Sequence, residues 1–209
     1  MRIIFIYVLL FSVKLSAQIP FDDCKQVTDI ALAEQLAHQR IMEATNNILG
    51  NTSASNNFDV TYYRCEWDVN PAIRYISGKV TVYFYITTGT TNIQLDLMSP
   101  LIVDSVKQRN LVLVKQHASN TLTVNFSSTI NAGVLDSISI YYRGVPPNTG
   151  FGSFIQDQHL GIPVMWSLSE PYGSRDWWPC KNGLDDKADS IDIYITSPAQ
   201  YRAASNGLL

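Results

Sequence analysis

From residue 58 onward, apolar side chains return at every second position, in one run after another. Tyr63, Cys65, Trp67 and Val69 alternate with Arg64, Glu66 and Asp68. Val80, Val82, Phe84 and Ile86 alternate with Thr81, Tyr83, Tyr85 and Thr87. The same pattern recurs at Ile93, Leu95 and Leu97, at Leu122, Val124 and Phe126, at Ile138, Ile140 and Tyr142, and at Ile191, Ile193 and Ile195. A period of two places one set of side chains on one face of an extended chain and the other set on the opposite face. Shorter runs at 101–107, 110–115 and 162–168 also read as strands. Half-buried strands joined by short turns predict an all-β domain of antiparallel sheets over 58–209. A sandwich or saddle-like pair of sheets buries their apolar faces most simply.

The 209 residues are enough for one good core and a small appendage, and 46% hydrophobic against 16% charged excludes a disordered chain. A net charge of −3 without a basic stripe argues against nucleic acid as a partner.

The amino terminus reads differently. Arg2 precedes the apolar run from Ile3 to Phe11, and Leu15, Ser16 and Ala17 form a small-residue exit. This is the layout of a secretory signal peptide, residues 1–17, with cleavage after Ala17. The apolar run ends before Lys14 and is short for a bilayer, so no stable membrane anchor is predicted. The mature protein is expected to be secreted, periplasmic or at the cell surface. Residues 26–49 carry Ile30, Leu32, Ala33, Leu36, Ala37, Ile41 and Ala44 at helical spacing, with Thr28 or Asp29 as cap. One helix and a polar linker are expected over 18–57, the linker being Gly50 to Asn57. The three cysteines, Cys24, Cys65 and Cys180, form no disulfide framework and no paired metal motif. Cys65 falls on an apolar strand face and reads as core.

At the other end, Asn206-Gly207 is a hairpin signal with two residues after it. The chain is therefore expected to be a fragment, incomplete at its C-terminus, and liable to pair through an open sheet edge.

The segment 166–188, WSLSEPYGSRDWWPCKNGLDDKA, breaks the alternation. An irregular, aromatic and charged stretch between strands is where a β scaffold carries chemistry. On its residues alone, Glu170 is a surface carboxylate before a proline turn. Trp177 and Trp178, as neighbours on a strand, are expected to face opposite ways, with one of them in the core. The three histidines read as ordinary: His38 on a helix face, His117 in a turn, His159 in a loop.

This segment resembles a stretch of the N-terminal β domain of M1-family zinc aminopeptidases, T-Q-F-E-P-x-x-A-R-x-x-F-P-C-x-D-E-P-x-x-K-A. Glu170, Pro171, Arg175, Pro179, Cys180, Lys187 and Ala188 match. Ser167, Leu168 and Ser169 replace Thr-Gln-Phe, Trp178 replaces Phe, and Asn182, Gly183 and Leu184 replace Asp-Glu-Pro. That last change puts the salt bridges of this stretch in doubt. Upstream, Ile76 to Val80 resembles the family's I-x-G-x-V strand and Gly150 to Gly152 its G-F-Y segment. Downstream, Ser205-Asn206-Gly207 resembles its S-N-G turn.

The resemblance implies a substrate-binding role for Glu170, as the anchor of a peptide's free amino terminus. Arg175 would support the loop, and Cys180 would be buried and inert. It further implies a parent enzyme that removes N-terminal residues from peptides with a zinc ion. The zinc site needs H-E-x-x-H and a further Glu, and the family's G-x-M-E-N loop belongs with it. None of these occurs in this sequence, so catalytic and metal residues are expected in a missing catalytic domain, and the fragment alone is expected to be inactive. The alternative is a non-catalytic surface β-sandwich for binding or adhesion, suggested by eleven tyrosines and four tryptophans.

Overall fold

The computed structural model describes Leu32, Gln35, Thr52 and residues 54–148, 152–170 and 172–207. The leader, Cys24, His38, Gly150-Phe151 and Pro171 lie outside the described residues. So does the 26–49 helix, apart from Leu32 and Gln35, which are both helical and exposed.

Eleven strands make up most of the regular structure of the described residues. β1 (Phe58–Asn70), β2 (Ile73–Ile86), β8 (Leu135–Gly144), β4 (Leu101–Gln108), β5 (Leu111–Val112) and β11 (Ser190–Thr196) form a six-stranded sheet in the order β11-β1-β2-β8-β4-β5. A three-stranded sheet, β3-β7-β6, comprises β3 (Thr90–Asp96), β7 (Thr121–Ile130) and β6 (Val114–Ala118). β9 (Ile155–His159) and β10 (Ile162–Trp166) make a separate antiparallel hairpin.

The alternation read from sequence becomes the core. Val80, Val82 and Phe84 of β2, Ile140 of β8, Ile93 and Leu95 of β3, and Leu122 and Val124 of β7 are fully buried in one cluster. The Phe84 and Phe126 rings, 6.3 Å apart, join the two larger sheets. The inward set switches phase inside β1. Phe58 and Val60 are buried, then Tyr63, Cys65 and Trp67. A bulge at Thr61 accounts for the switch, because Val60 pairs Phe84 and Tyr62 pairs the next residue back, Tyr83. One extra residue opposite none moves every later side chain to the other face.

Four expectations change. The large sheet is mixed, since β11 runs parallel to β1 with Tyr63 opposite Ile191. The long crossover through the motif segment brings the chain back in the same direction as β1. As an edge strand, β11 buries little: Ile193 is half-buried, but Ile191 and Ile195 remain 45% and 37% exposed. The run at 110–115 serves two sheets, with Leu113 buried where β5 ends and β6 begins. His117 lies in β6 rather than a turn, and its Nε2 bonds the Leu97 carbonyl at 2.9 Å. His159 ends β9 rather than lying in a loop; the polar sequence Gln156-Asp157-Gln158 gave that strand no alternation.

Candidate functional site

The motif segment leaves β10 at Trp166, turns at Glu170, makes one 3-10 turn over Ser174–Asp176 and returns to the core at Trp177. Both tryptophans are buried, at 7% and 8% exposure. The expectation of opposite faces assumed a strand. A tight turn instead brings the adjacent indoles to the same side, their centroids 6.2 Å apart. Trp177 packs 4.5 Å from Trp67, and Trp178 lies edge-on to Tyr63 at 5.0 Å, so β1 supplies the other half of the cluster. Gly78 of β2 makes room for it. A Cβ there would stand 2.8 Å from both Trp67 Cδ1 and the Glu66 carbonyl.

Glu170 is exposed at the tip of this segment. The backbone on either side of it is fixed. The Gly173 N–H donates to the Ser169 carbonyl at 2.7 Å, closing the turn. Trp177 Nε1 donates to Ser169 Oγ at 3.0 Å. Asn182 Nδ2 donates to the Tyr172 carbonyl at 2.9 Å. Gly173 must be glycine for packing, not for its dihedral angles. A Cβ would fall 2.5 Å from Ser153 Oγ and 3.1 Å from the Leu168 carbonyl. Ser153 Oγ in turn donates to the buried Asp176 Oδ2 at 2.6 Å.

Arg175 contributes through its backbone: its carbonyl accepts from the Met98 N–H at 2.9 Å, and its own N–H faces Asn182 Oδ1 at 3.4 Å. Asn182 is thus a buried hub, and its backbone N–H also reaches Asp96 Oδ2 at 3.1 Å. Sequence reasoning singled out this position only for the acid it lacks. Its amide does what a carboxylate cannot, since it both donates and accepts.

A salt bridge persists despite the changes at 182–184. Lys181 Nζ meets Asp186 Oδ2 at 2.5 Å, with both side chains 5% exposed. The ammonium also bonds the Phe58 carbonyl at 2.8 Å and lies 4.8 Å from the Phe58 ring centroid, while Val60 N–H points at Asp186. The far end of the motif is thereby locked to the start of β1. Cys180 bridges Asp96 through paired backbone hydrogen bonds of 2.8 and 3.1 Å. Burial pushes its thiol, and that of Cys65, well above the usual cysteine range.

Among the described residues, no group of three or more His, Cys, Asp and Glu side chains could hold a metal ion. His117 already spends Nε2 on a carbonyl, and Cys65 and Cys180 are held as thiols in the core. These residues do not fit a zinc site. The arrangement can instead present the exposed carboxylate of Glu170 from a turn tied to a buried aromatic cluster.

No curated protein matches the sequence. Among solved structures, the fold is similar to an M1 zinc metallopeptidase from Deinococcus radiodurans, with TM-score 0.66 and 24% identity, covering 74% of this chain and 36% of that one. A form of a Deinococcus radiodurans M1 zinc metallopeptidase bound to a Tyr-Ser-Ala substrate gives 0.65 and 25%, over 73% and 35%. Leukotriene A4 hydrolase from Saccharomyces cerevisiae gives 0.58 and 20%, over 70% and 24%. The chain thus spans about a third of the metallopeptidases' length and a quarter of the hydrolase's. The profile of the peptidase M1 N-terminal domain matches residues 59–208, nearly all of the β region described above, and the chain belongs to that family.

Proposed function

We propose that this chain is the N-terminal domain of a secreted zinc aminopeptidase, in which it forms one wall of the catalytic cleft. In this reading Glu170 takes the free α-ammonium of the peptide. The observation that carries the reading is the Gly173 N–H to Ser169 carbonyl bond together with the Ser169–Trp177 and Tyr172–Asn182 bonds, which tie the chain on both sides of an exposed carboxylate at a position matching the family motif. A carboxylate that meets an ammonium in a partly dehydrated cleft makes a strong, short contact. Fixing the amino terminus also fixes how far along the peptide the scissile bond lies, which limits removal to N-terminal residues. The Tyr-Ser-Ala substrate of the Deinococcus relative supports a short peptide as the ligand class.

The zinc and the general base belong, in this reading, to a catalytic domain outside these residues. The metal would polarise the scissile carbonyl there. Arg175 helps to hold the loop in shape. The N-terminal leader directs the protein out of the cytoplasm. Alone, residues 18–209 bind no stoichiometric zinc and hydrolyse no aminoacyl substrate, and metal analysis showing one tightly held zinc per chain would refute this.

The decisive experiment is Glu170→Ala in the polypeptide that joins this domain to its zinc-bearing partner. The kcat/KM on a free-amino peptide should fall by roughly two to three orders of magnitude. Glu170→Gln should lose less, because its amide oxygen still accepts a hydrogen bond. Zinc content and Tm should hold in both. Near-normal kcat/KM for Glu170→Ala would remove the anchor role and leave Glu170 a loop residue.

A further inference from the structure

Ser169, the residue before Glu170, makes two hydrogen bonds at once. Its carbonyl accepts from Gly173 N–H at 2.7 Å and its hydroxyl accepts from Trp177 Nε1 at 3.0 Å. The first bond shapes the turn. The second fastens the turn to something that does not move easily. Trp177 is buried between Trp67, at 4.5 Å, and Phe154, at 5.8 Å. An indole N–H is a donor only, and a buried donor holds on to its acceptor because losing it strands a desolvated polar group. Ser169 is half-buried between exposed Leu168 and exposed Glu170, so its hydroxyl is turned inward while its neighbours meet solvent.

The direction of Ser169 sets the direction of Glu170 through one peptide plane. We propose that Ser169 is the positioning residue for Glu170, transmitting the rigidity of the Trp67–Trp177 cluster to the anchor carboxylate. The proposal rests on the reading of Glu170 as the amino-group anchor. It assigns a task to a position where this chain departs from the motif it resembles. A phenylalanine there has no acceptor to offer an indole, and Trp177 is the donor that gives the serine its use. A serine at this point also suits the crowding behind the turn, where even a Cβ on Gly173 would collide with Ser153 Oγ.

The first test uses the chain itself. In Ser169→Ala, hydrogen exchange at the Gly173 amide and the Trp177 indole should quicken about tenfold or more, while β1 and β2 amides keep their rates. Ser169→Thr, which keeps a hydroxyl acceptor, should stay near the parent values. Unchanged protection at Gly173 in Ser169→Ala overturns the proposal.

The second test uses the polypeptide that includes the zinc-bearing domain. Ser169→Ala should raise KM for a free-amino peptide by roughly three- to tenfold and add nothing further in a Glu170→Ala background, because both act through one carboxylate. An equal loss in both backgrounds overturns positioning while leaving the anchor reading intact. A silent Glu170→Ala overturns the anchor reading and this inference with it. Should Ser169→Ala fail to fold, Trp177→Phe removes the donor instead of the acceptor, and the same coupling pattern decides.

Discussion

Breaking the Lys181–Asp186 pair from one side should strongly destabilise the domain at the start of β1, and breaking it from both sides should do less harm. The two side chains are each 5% exposed and meet at 2.5 Å. Lys181→Met keeps most of the apolar stem over the Phe58 ring but removes the ammonium. The Phe58 carbonyl then loses a donor at 2.8 Å, and Asp186 loses its cation, keeping the long bonds from Val60 N–H at 3.2 and 3.3 Å and the neighbouring Asp59 carboxyl. An uncompensated buried carboxylate costs about 3–5 kcal/mol. For a domain of this size that lowers Tm by roughly 6–20 °C. Removing both charges in Lys181→Met/Asp186→Leu leaves no buried ion, only the unpaired Phe58 carbonyl and Val60 N–H. The double variant should therefore melt above the Lys181→Met single variant. Thermal and urea melts at pH 7 of the parent, both singles and the double complete the cycle. A loss under about 1 kcal/mol for Lys181→Met, the range of an exposed pair, would refute the reasoning. So would strict additivity of the two changes, because it would show that neither charge depends on the other.

Three further outcomes follow from single sites. Gly173→Ala should destabilise by about 1–3 kcal/mol through overpacking against Ser153 and Leu168. Gly89→Ala, whose Cβ would meet nothing nearer than 3.7 Å, should cost clearly less in the same melts. Asp59 has its carboxyl raised above the ordinary 3.8, first by desolvation and then by the Asp186 carboxylate beside it. The folded state therefore binds that proton more tightly, and Asp59 destabilises once pH rises past its folded pKa. Asp59→Asn should raise Tm at neutral pH, with the gain shrinking to nothing as pH falls below the ordinary carboxylate value; an equal gain at pH 3 would contradict the assignment. Cys65 and Cys180, buried and held as thiols, should resist iodoacetamide at pH 8 in the native state and react fully after denaturation. Native labelling of either, read by mass spectrometry, would show that this part of the core opens.

What the sequence alone determined was the β architecture. Alternation along β1, β2, β7 and β8 is a local record of which side each residue faces, and a strand's geometry makes that record readable without knowing its partner. The family motif was legible for a similar reason: Glu170, Arg175, Pro179 and Cys180 stand at fixed spacing in one stretch of chain. Strand β9 was not legible, because Gln156-Asp157-Gln158 lies on a hairpin with little core to cover and so leaves no apolar alternation. The parallel entry of β11 beside β1 was hidden too. Ile191, Ile193 and Ile195 state that one face is apolar, but only the crossover decides the direction of the strand and how little of that face is covered.

The candidate site divides in the same way. Glu170 could be proposed from the sequence, but the bonds that hold its turn could not. Ser169 and Trp177 are eight residues apart, Asp96 and Asn182 eighty-six, and Lys181 and Phe58 one hundred and twenty-three. Hydrogen bonds and ion pairs of this kind leave no period in the chain, because each depends on a turn or a sheet that brings distant atoms within hydrogen-bonding distance. Even the burial of both Trp177 and Trp178 was a tertiary decision: a single 3-10 turn replaced the strand that would have parted them, and the aromatic face of β1 was there to receive the pair.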